Sequence, residues 1–232
     1  MDDAHKIGLN FYMGLGIVLN EEFIKKFSKK FPPAAHLTRE GDTGDTMFLI
    51  TEGKVNVIKE STQGEKVIAT LGDGDIFGEM AIMGLQNHRA ATVKSVTPTT
   101  VLELNKAAFT TLIRKSPEIA LNVIKILTER LRDTNGRVAA LMHENKFERL
   151  SVYLTHLAND KGVIPSGKPL GKCFTFDLGN MSSTLNLDPT FLQQYMSLAR
   201  QARIIGINGE WCWIPYPEYI IPFGNLLRES KK

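Results

Sequence analysis

The chain has 232 residues, of which 43% are hydrophobic and 23% are charged, and its net charge is +3. This composition is typical of a globular protein with one large or two small domains, and the mild positive charge neither requires nor excludes nucleic acid. Cys173 and Cys212 are too few for a four-cysteine iron–sulfur cluster made by this chain alone, and they form no CxxC pair for zinc. We therefore expect no bound metal. The apolar run at residues 7–18 is too short to span a bilayer and lacks a basic leader, so we expect a cytoplasmic protein with no membrane partner.

Two different patterns follow each other in the first half of the chain. Phe23, Phe27 and Phe31 recur at steps of four residues, which predicts an amphipathic helix over residues 21–31 that Pro32-Pro33 ends. Residues 34–104 then contain short β-like runs separated by glycine-containing turns at intervals of about ten residues, and this spacing predicts a compact antiparallel barrel or roll.

One loop in the β-rich region combines residues that suit a sugar phosphate. Gly78 and Ala90 leave backbone N–H groups accessible to a phosphate because neither carries a bulky side chain. Arg89 can neutralise the phosphate through a forked, charge-assisted contact, and Glu79 can accept a hydrogen bond from a ribose hydroxyl. Each residue alone is weak evidence, since a lone arginine usually lies on the surface. Their order and spacing between predicted strands favour a phosphate site.

A long helix with an apolar seam is predicted next. Ser116-Pro117-Glu118 is a helix start signal, and no proline follows until Pro165. A single helix packed on the roll would show a similar stripe, but the narrow seam and its charged flanks favour a parallel two-stranded homodimer. The seam positions, at alternating steps of four and three, are Ala120, Ile124, Leu127, Leu131, Thr134, Val138, Leu141 and Asn145. Of these, Leu127, Leu131, Thr134, Val138 and Leu141 are the predicted dimer interface, where Thr134 can also act as a polar register device.

The last third of the chain reads as a small module of helices and a hairpin. Asn145 is predicted to cap a second helix, and the Pro- and Gly-rich linker at residues 163–172 precedes the module. Asp177 and Asp188-Pro189 are two further helix start signals, and Asn208-Gly209 is a strong hairpin turn signal. Helix, short turn, helix and β-wing together predict a winged helix-turn-helix.

These residues resemble a known family. Residues 72–104 resemble the phosphate-binding cassette of cyclic-nucleotide-binding domains, and Arg89-Ala90-Ala91-Thr92-Val93-Lys94 is especially similar to that of protein kinase A regulatory subunits. In length and order of parts, the whole chain resembles the bacterial cyclic-AMP receptor protein family of transcription factors. The resemblance implies an α+β fold in three parts: a jelly-roll-like antiparallel β-roll at residues 1–115, a dimerisation helix at 116–145 and a winged helix-turn-helix DNA-binding domain at 146–232.

The resemblance also implies the residues of a cyclic-nucleotide site. On the long helix, Asn135 stands where the cyclic-AMP receptor protein has a hydroxyl residue, which puts a contact with the base from the partner subunit in question. The expected site consists of Phe77, Gly78, Glu79, Met80, Ala81, Arg89, Ala90, Ala91, Thr134 and Asn135.

Direct DNA reading has weaker support. In the family, arginine and glutamate at the start of the recognition helix reach base edges, but the aligned positions here, Pro189, Thr190 and Gln194, are uncharged. Gln193 and Gln194 can contact adenine, Thr190 a phosphate or a thymine methyl group, and Arg200 phosphates. From residue 141 onward, ten Lys and Arg face eight Asp and Glu, a small excess for a domain that binds DNA largely through charge. The DNA-binding expectation therefore rests on architecture.

The resulting expectation is a homodimeric, cyclic-nucleotide-responsive transcription regulator with DNA and RNA polymerase as partners. Cyclic AMP is the expected effector and cyclic GMP the less favoured one, because family members that prefer cyclic GMP often carry a hydroxyl residue where this chain has Ala90. The alternative is a cyclic-nucleotide sensor whose degenerate helix-turn-helix serves protein interaction or weak non-specific DNA binding. A regulator that no longer uses a nucleotide is a third hypothesis. An enzyme is not expected, since the sequence has no nucleophile–base pair, metal triad or phosphate-loop lysine motif.

Overall fold

The computed structural model describes residues 21–62, 64–83, 87–164 and 171–230. The apolar run at residues 7–18 and the centre of the predicted linker, residues 165–170, lie outside the described residues. The chain divides into two units, Met1–Thr128 and Glu129–Lys232, and the division falls inside one long helix. In the described stretches, no helix has both the length and the apolar character that a membrane span needs.

The first unit contains two four-stranded antiparallel sheets. Its strands are β1 (Ser28–Phe31), β2 (His36–Thr38), β3 (Thr46–Glu52), β4 (Val55–Ser61), β5 (Gly64–Leu71), β6 (Ile76–Phe77), β7 (Thr92–Ser95) and β8 (Thr99–Asn105). One sheet has the order β1-β8-β3-β6 and the other β2-β7-β4-β5. A cluster of buried residues from both sheets joins them into a roll; its members are Phe48, Ile50, Val55, Leu71, Phe77, Val93 and Val101.

Both faces of β3 are buried, which explains its unbroken apolar sequence. Phe48 and Ile50 point into the core between the two sheets. Met47 and Leu49 point to the other face, where they pack in a second cluster with helical residues. A strand covered on both faces needs apolar side chains at successive positions and not only at alternate ones.

Helices cover that second face of the sheet. They are α1 (Glu21–Phe27), α3 (Lys106–Lys115) and the beginning of α4 (Glu118–Leu141), while the short α2 (Glu79–Met83) follows β6. Phe109, Leu112, Ile119 and Val123 are buried in this layer. The sequence pattern did not identify α3, although Asn105 caps it by accepting a hydrogen bond from the N–H of Ala108 at 2.9 Å.

The predicted helix over residues 21–31 is wrong in its second half. The helix ends at Phe27, and Ser28–Phe31 is an edge strand that pairs with β8, with Phe31 opposite Thr99. Phe23 and Phe27 do lie on one helix face, since their ring centroids are 4.5 Å apart. Phe31 packs instead against the core of the roll, because pairing with β8 satisfies the backbone groups of this segment and overrides its helical spacing.

The second unit begins within α4 and matches the predicted order of elements. It contains α5 (Lys146–Asp160), β9 (Lys172–Thr175), α6 (Leu178–Leu185), α7 (Pro189–Gln201), β10 (Gly206–Asn208), β11 (Trp211–Ile214), a 3-10 turn (Pro217–Tyr219) and α8 (Ile220–Glu229). The three strands form one antiparallel sheet in the order β10-β11-β9. The α+β fold class, with its roll, long helix and winged helix-turn-helix, is confirmed.

The three predicted helix caps of this unit are confirmed. The side chains of Asn145, Asp177 and Asp188 each accept a hydrogen bond from a backbone N–H in the first turn of α5, α6 and α7 respectively. The hairpin turn lies one residue later than expected. Asn208 pairs with Trp211, so the two loop residues are Gly209 and Glu210, and Gly209 adopts the positive φ of 60° that the turn requires.

The tail beyond the wing forms α8, which the sequence pattern did not reveal. α8 packs on α5 at Gly224, where a Cβ atom would lie 2.0 Å from Ser151 Oγ. Ser151 Oγ donates to the carbonyl of Phe147 at 2.7 Å and lies 2.8 Å from Tyr195 Oη. Burial raises the pKa of Tyr195 to about 12, so this phenol stays protonated inside the core. The tail is therefore part of the core of this unit.

Replacing Gly224 with alanine should destabilise the second unit by about 1–3 kcal/mol, because the added methyl group displaces Ser151 from its buried hydrogen bonds. Both tryptophans of the chain, Trp211 and Trp213, lie on β11, so urea unfolding followed by tryptophan fluorescence measures this unit. The control is Leu226→Ala on the exposed side of the same helix, which should change the free energy of unfolding by less than about 0.5 kcal/mol. Equal stability of the two variants would contradict this packing.

Candidate functional site

Arg89 is a buried arginine in the loop before β7, with only 9% of its surface exposed. Its Nη1 donates to the carbonyl oxygen of Thr46 at 2.5 Å, and its Nη2 donates to the Thr46 hydroxyl at 2.9 Å. Its Cζ lies 5.3 Å from the centre of the Phe48 ring. All of these contacts are with neutral groups.

The guanidinium of Arg89 carries a charge that no described residue neutralises by direct contact. Burial lowers the pKa of Arg89, and the charges of Glu103, Asp45 and Asp42 act more weakly in the opposite direction. In the part of the chain that the structure describes, no carboxylate forms an ion pair with it. A buried cation without a counter-charge is unfavourable, so this position favours an anionic ligand.

Two glycines make room for the Arg89 side chain. A Cβ atom at Gly44 would lie 2.3 Å from Arg89 Nε, and one at Gly78 would lie 2.7 Å from Arg89 Nη1. Gly78 also has a φ of 76°, which strains any other residue. Gly78 and Arg89, predicted from two separate stretches of sequence, therefore meet in space.

The other residues of the first predicted stretch divide into packing and exposed positions. The side chain of Phe77 is buried and stacks on Phe48, with ring centroids 4.8 Å apart. Ala81 is buried in α2, Met80 is exposed, and Glu79 is half-buried as the first residue of α2. Phe77 and Ala81 thus contribute packing, while Gly78 lies against the arginine.

The backbone of residues 89–91 is held from its carbonyl side. The donors are Gly41 N–H to the carbonyl of Arg89 (2.9 Å), Lys59 Nζ to that of Ala90 (2.8 Å) and Thr38 Oγ1 to that of Ala91 (3.3 Å). The N–H groups of Ala90 and Ala91 donate no hydrogen bond to any residue in the described stretches. Two such N–H groups in the loop that also carries a buried arginine suit a phosphate.

Sequence reasoning missed several residues of this site, namely Gly44, Thr46 and Lys59. Gly44 was visible only as one glycine of an ordinary turn, and Thr46 was not part of any predicted element. Nothing in the sequence pattern marks Lys59, because its partners Glu40 and Ala90 lie 19 and 31 residues away along the chain.

Residues 28–116 match the family described as the cyclic nucleotide-binding domain. The chain contains a cyclic nucleotide-binding domain.

It is also homologous to regulators of the cyclic-AMP receptor protein family. The Cyclic AMP receptor protein of Thermus thermophilus is 30% identical over 128 residues, which cover 55% of this chain and 59% of that protein. A CRP-like cAMP-activated global transcriptional regulator of Mycobacterium tuberculosis is 28% identical over 138 residues, or 59% of this chain and 61% of the relative. The chain thus spans less than two thirds of these relatives.

Solved structures share the fold over most of the chain. A CooA mutant from Carboxydothermus hydrogenoformans has a TM-score of 0.68 at 20% identity and covers 90% of this chain and 93% of its own. CprK in complex with OCPA has a TM-score of 0.65 at 12% identity, with 86% and 93% covered. The c-di-GMP responsive regulator CLP of Xanthomonas campestris has a TM-score of 0.55 at 18% identity, with 85% and 99% covered. At these identities the likeness establishes the fold and leaves the effector open.

The predicted purine contacts lie outside the cyclic nucleotide-binding domain, on the part of α4 that belongs to the second unit. Thr134 and Asn135 are both exposed. The hydroxyl of Thr134 donates to the carbonyl of Arg130 in its own helix at 2.9 Å, a common arrangement for a helical threonine. Their contact with a nucleotide stays a prediction.

The seam of α4 presents large apolar side chains to solvent in the single chain. Leu131 is 61% exposed and Val138 is 52% exposed, and Ile124 and Leu141 are exposed as well. Leu127 differs, because it is half-buried against the helical layer of the first unit. A repeated row of exposed leucine and valine on one helix is uncommon in a protein that works as a monomer.

Helix α7, the second helix of the helix-turn-helix, exposes all five predicted DNA-contacting residues, which are Pro189, Thr190, Gln193, Gln194 and Arg200. Asp188 caps this helix, and its Oδ1 accepts hydrogen bonds from the N–H groups of Thr190 at 2.9 Å and Phe191 at 3.1 Å. A carboxylate thus occupies the end of the helix that would otherwise attract a phosphate.

The wing adds no positive charge to this surface. Its strands and turn, residues 206–214, contain Glu210 and no Lys or Arg. Trp211 is half exposed on β11. Within the described residues, histidine, cysteine and acidic side chains form no cluster with a metal-binding arrangement.

Proposed function

We propose that this protein is a homodimeric transcription regulator that responds to a cyclic nucleotide, with cyclic AMP as its effector and the winged helix-turn-helix as its DNA-binding head. The observation that carries the proposal is the buried guanidinium of Arg89, which has no carboxylate partner among the described residues and belongs to the same loop as Ala90 and Ala91, whose N–H groups donate to no described residue. A cyclic phosphate supplies the missing negative charge and the missing acceptors.

The physical strength of this contact comes from desolvation. Arg89 already lies away from water, so binding a phosphate does not require further removal of its hydration shell. The guanidinium would donate to the phosphate oxygens, the N–H groups of Ala90 and Ala91 would complete the ring of donors, and Glu79 would accept a hydrogen bond from the ribose. The neutral ligands of Arg89 hold it in place without competing through charge.

Cyclic AMP is the favoured effector for two reasons. Ala90 offers no hydroxyl group to the amino group of a guanine base. The names of the relatives from Thermus thermophilus and Mycobacterium tuberculosis both refer to cyclic AMP. The c-di-GMP responsive CLP shares the fold, so the fold by itself does not select the effector.

The proposed response runs through α4, which begins in the first unit and continues into the second. An effector shifts a conformational equilibrium only by the difference between its affinities for the two states. Cyclic AMP would therefore have to bind more tightly to the arrangement in which the paired heads fit DNA. The dimer would place two copies of α7 against successive grooves.

Replacing Arg89 with leucine should weaken cyclic AMP binding at least roughly tenfold, because one charge-assisted hydrogen bond contributes about 1.5–3 kcal/mol. Isothermal titration calorimetry with cyclic AMP and cyclic GMP measures the change. The matched control is Arg39→Leu, which removes the same charge from an exposed position in the same unit and should leave the affinity within about twofold. Unchanged affinity in the Arg89 variant would remove the basis of the proposed site.

Replacing both Leu131 and Val138 with lysine should convert the dimer to monomers, since like charges would face each other across the seam. Sizing with light scattering gives the mass directly. Ala139→Lys is the control, because Ala139 is exposed beside the seam and not on it. A double variant that remains dimeric would place the interface elsewhere on the chain.

A second candidate function has specific support. The carboxylate of Asp188 at the start of α7 and the acidic wing oppose phosphate contact, so the head is also compatible with protein interaction or weak, non-specific DNA binding. The two functions differ in whether cyclic AMP changes the affinity for DNA. Fluorescence anisotropy with random-sequence DNA, with and without cyclic AMP and at two salt concentrations, distinguishes them.

If α7 meets DNA, replacing Asp188 with asparagine should raise DNA affinity about two- to fivefold at low salt, because a charge near a helix terminus contributes about 0.3–1 kcal/mol. Asparagine caps helices as well as aspartate does, so the fold should be retained. High salt should screen the gain. Glu229→Gln, the same charge change on α8, should have no effect. If the Asp188 variant gains no DNA affinity and cyclic AMP does not change the DNA affinity, the result would support a role of the second unit in protein interaction.

A further inference from the structure

We propose that Lys59 is a positioning residue of the nucleotide site: it fixes the peptide unit between Ala90 and Ala91 so that the Ala91 N–H presents to the cyclic phosphate. This inference rests on the proposed function of the site. It adds a residue on β4, away from the phosphate-binding loop, and gives that residue a defined effect on one hydrogen-bond donor.

Lys59 is held between two partners. Its Nζ donates to the carbonyl of Ala90 at 2.8 Å and also pairs with the carboxylate of Glu40. That carboxylate accepts a further hydrogen bond from the N–H of Glu60 at 3.3 Å, and the N–H of Glu40 donates to Thr92 Oγ1 at 2.9 Å. The ammonium therefore contacts a carboxylate that follows β2 and a carbonyl that precedes β7.

The Glu40 carboxylate that faces Lys59 remains charged over the neutral range of pH. The hydrogen bond from Lys59 and, to a smaller extent, that from the N–H of Glu60 hold the pKa of the Glu40 carboxyl below its usual range. The pair thus keeps its geometry under the conditions in which a nucleotide would bind.

The planarity of the peptide bond converts this contact into control of an N–H group. The carbonyl of Ala90 and the N–H of Ala91 belong to one rigid, trans peptide unit and point in opposite directions. A bond that fixes the carbonyl therefore fixes the direction of the N–H. Gly41 does the same for the preceding unit, because its N–H holds the carbonyl of Arg89 and so orients the N–H of Ala90.

The side chains of the loop cannot provide this control themselves. Ala90 and Ala91 end at a methyl group, so neither can anchor its own backbone through a polar contact. An ammonium that donates to a carbonyl also polarises the peptide unit and makes its N–H a stronger donor. Lys59 thus combines orientation with polarisation at the place where a phosphate would accept.

The sheet itself gives little reason for a lysine at this position. In the register of β4 and β5, Lys59 lies directly opposite Lys66, and like charges in opposite positions destabilise a strand pair. The contacts with Glu40 and Ala90 offset that repulsion. A lysine that occupies an unfavourable cross-strand pair and donates to the loop of residues 89–91 fits a role in binding.

The test is the affinity for cyclic AMP of Lys59→Met, measured by calorimetry. We expect binding about three- to tenfold weaker than in the unchanged protein, the effect of one lost hydrogen bond with its polarising charge. Lys66→Met is the matched control, because it removes the same charge from the neighbouring strand at an exposed position and should change affinity by less than about 1.5-fold. Lys59→Arg should retain most of the affinity, since it keeps the charge and the donors.

A second readout separates positioning from general stability. With alanine residues labelled by 15N, the amide signal of Ala91 should move downfield when cyclic AMP binds, and this movement should be reduced in Lys59→Met while circular dichroism stays unchanged. Should Lys59→Met fail to fold, Glu40→Gln keeps the lysine and neutralises its partner, and we expect a smaller loss of affinity in the same direction.

The outcomes distinguish this inference from the function on which it rests. If the unchanged protein binds no cyclic nucleotide, the proposed function fails and this inference with it. If the unchanged protein binds, Arg89→Leu loses affinity and Lys59→Met binds normally, only the positioning role is overturned. Equal losses in Lys59→Met and Lys66→Met would also overturn it, because the effect would then be one of overall charge.

Discussion

A buried cation without a counter-charge among the described residues is the constraint that organises the first unit. Desolvating the guanidinium of Arg89 costs free energy, and the carbonyl and hydroxyl of Thr46 and the face of Phe48 offset only part of that cost. Gly44 and Gly78 are required because any side chain there would overlap the arginine. Because part of the desolvation free energy of the guanidinium is not offset, a negatively charged phosphate would bind here more favourably than a neutral ligand.

Around that cation, the roll holds backbone groups in fixed directions. The segment at residues 38–42 and the side chain of Lys59 take up the carbonyls of residues 89–91, and two N–H groups remain for a ligand. Because the peptide unit is planar, each bond on one side of the loop sets a donor on the other side. The proposed binding geometry therefore depends on residues that need not touch the ligand.

In the second unit, the fold is that of a winged helix-turn-helix, but the exposed side chains give little support for DNA contact. Side chains cap α5, α6 and α7, the three strands pair without a register shift, and α8 packs on the core at Gly224 and Tyr195. Yet the side chains at the start of α7, Pro189, Thr190 and Gln194, are uncharged, and the carboxylate of Asp188 caps the helix there. A winged helix-turn-helix is an architecture on which DNA contact depends on a few exposed side chains, and the fold does not supply those side chains.

The sequence by itself determined the features that local chemistry specifies. These features depend on residues that are close together in the chain. They are the helix caps Asn145, Asp177 and Asp188, the seam of α4, and the combination of a Gly-Glu turn with an Arg-Ala-Ala run. Only the tertiary structure decided that residues 28–31 form a strand, that α8 completes the second unit, and that Thr46 and Lys59 hold the loop. Arg89 and Thr46 are 43 residues apart, and Lys59 and Ala90 are 31 apart. Such contacts form when strands distant in sequence pair in one sheet or pack in one roll, and no local pattern encodes them.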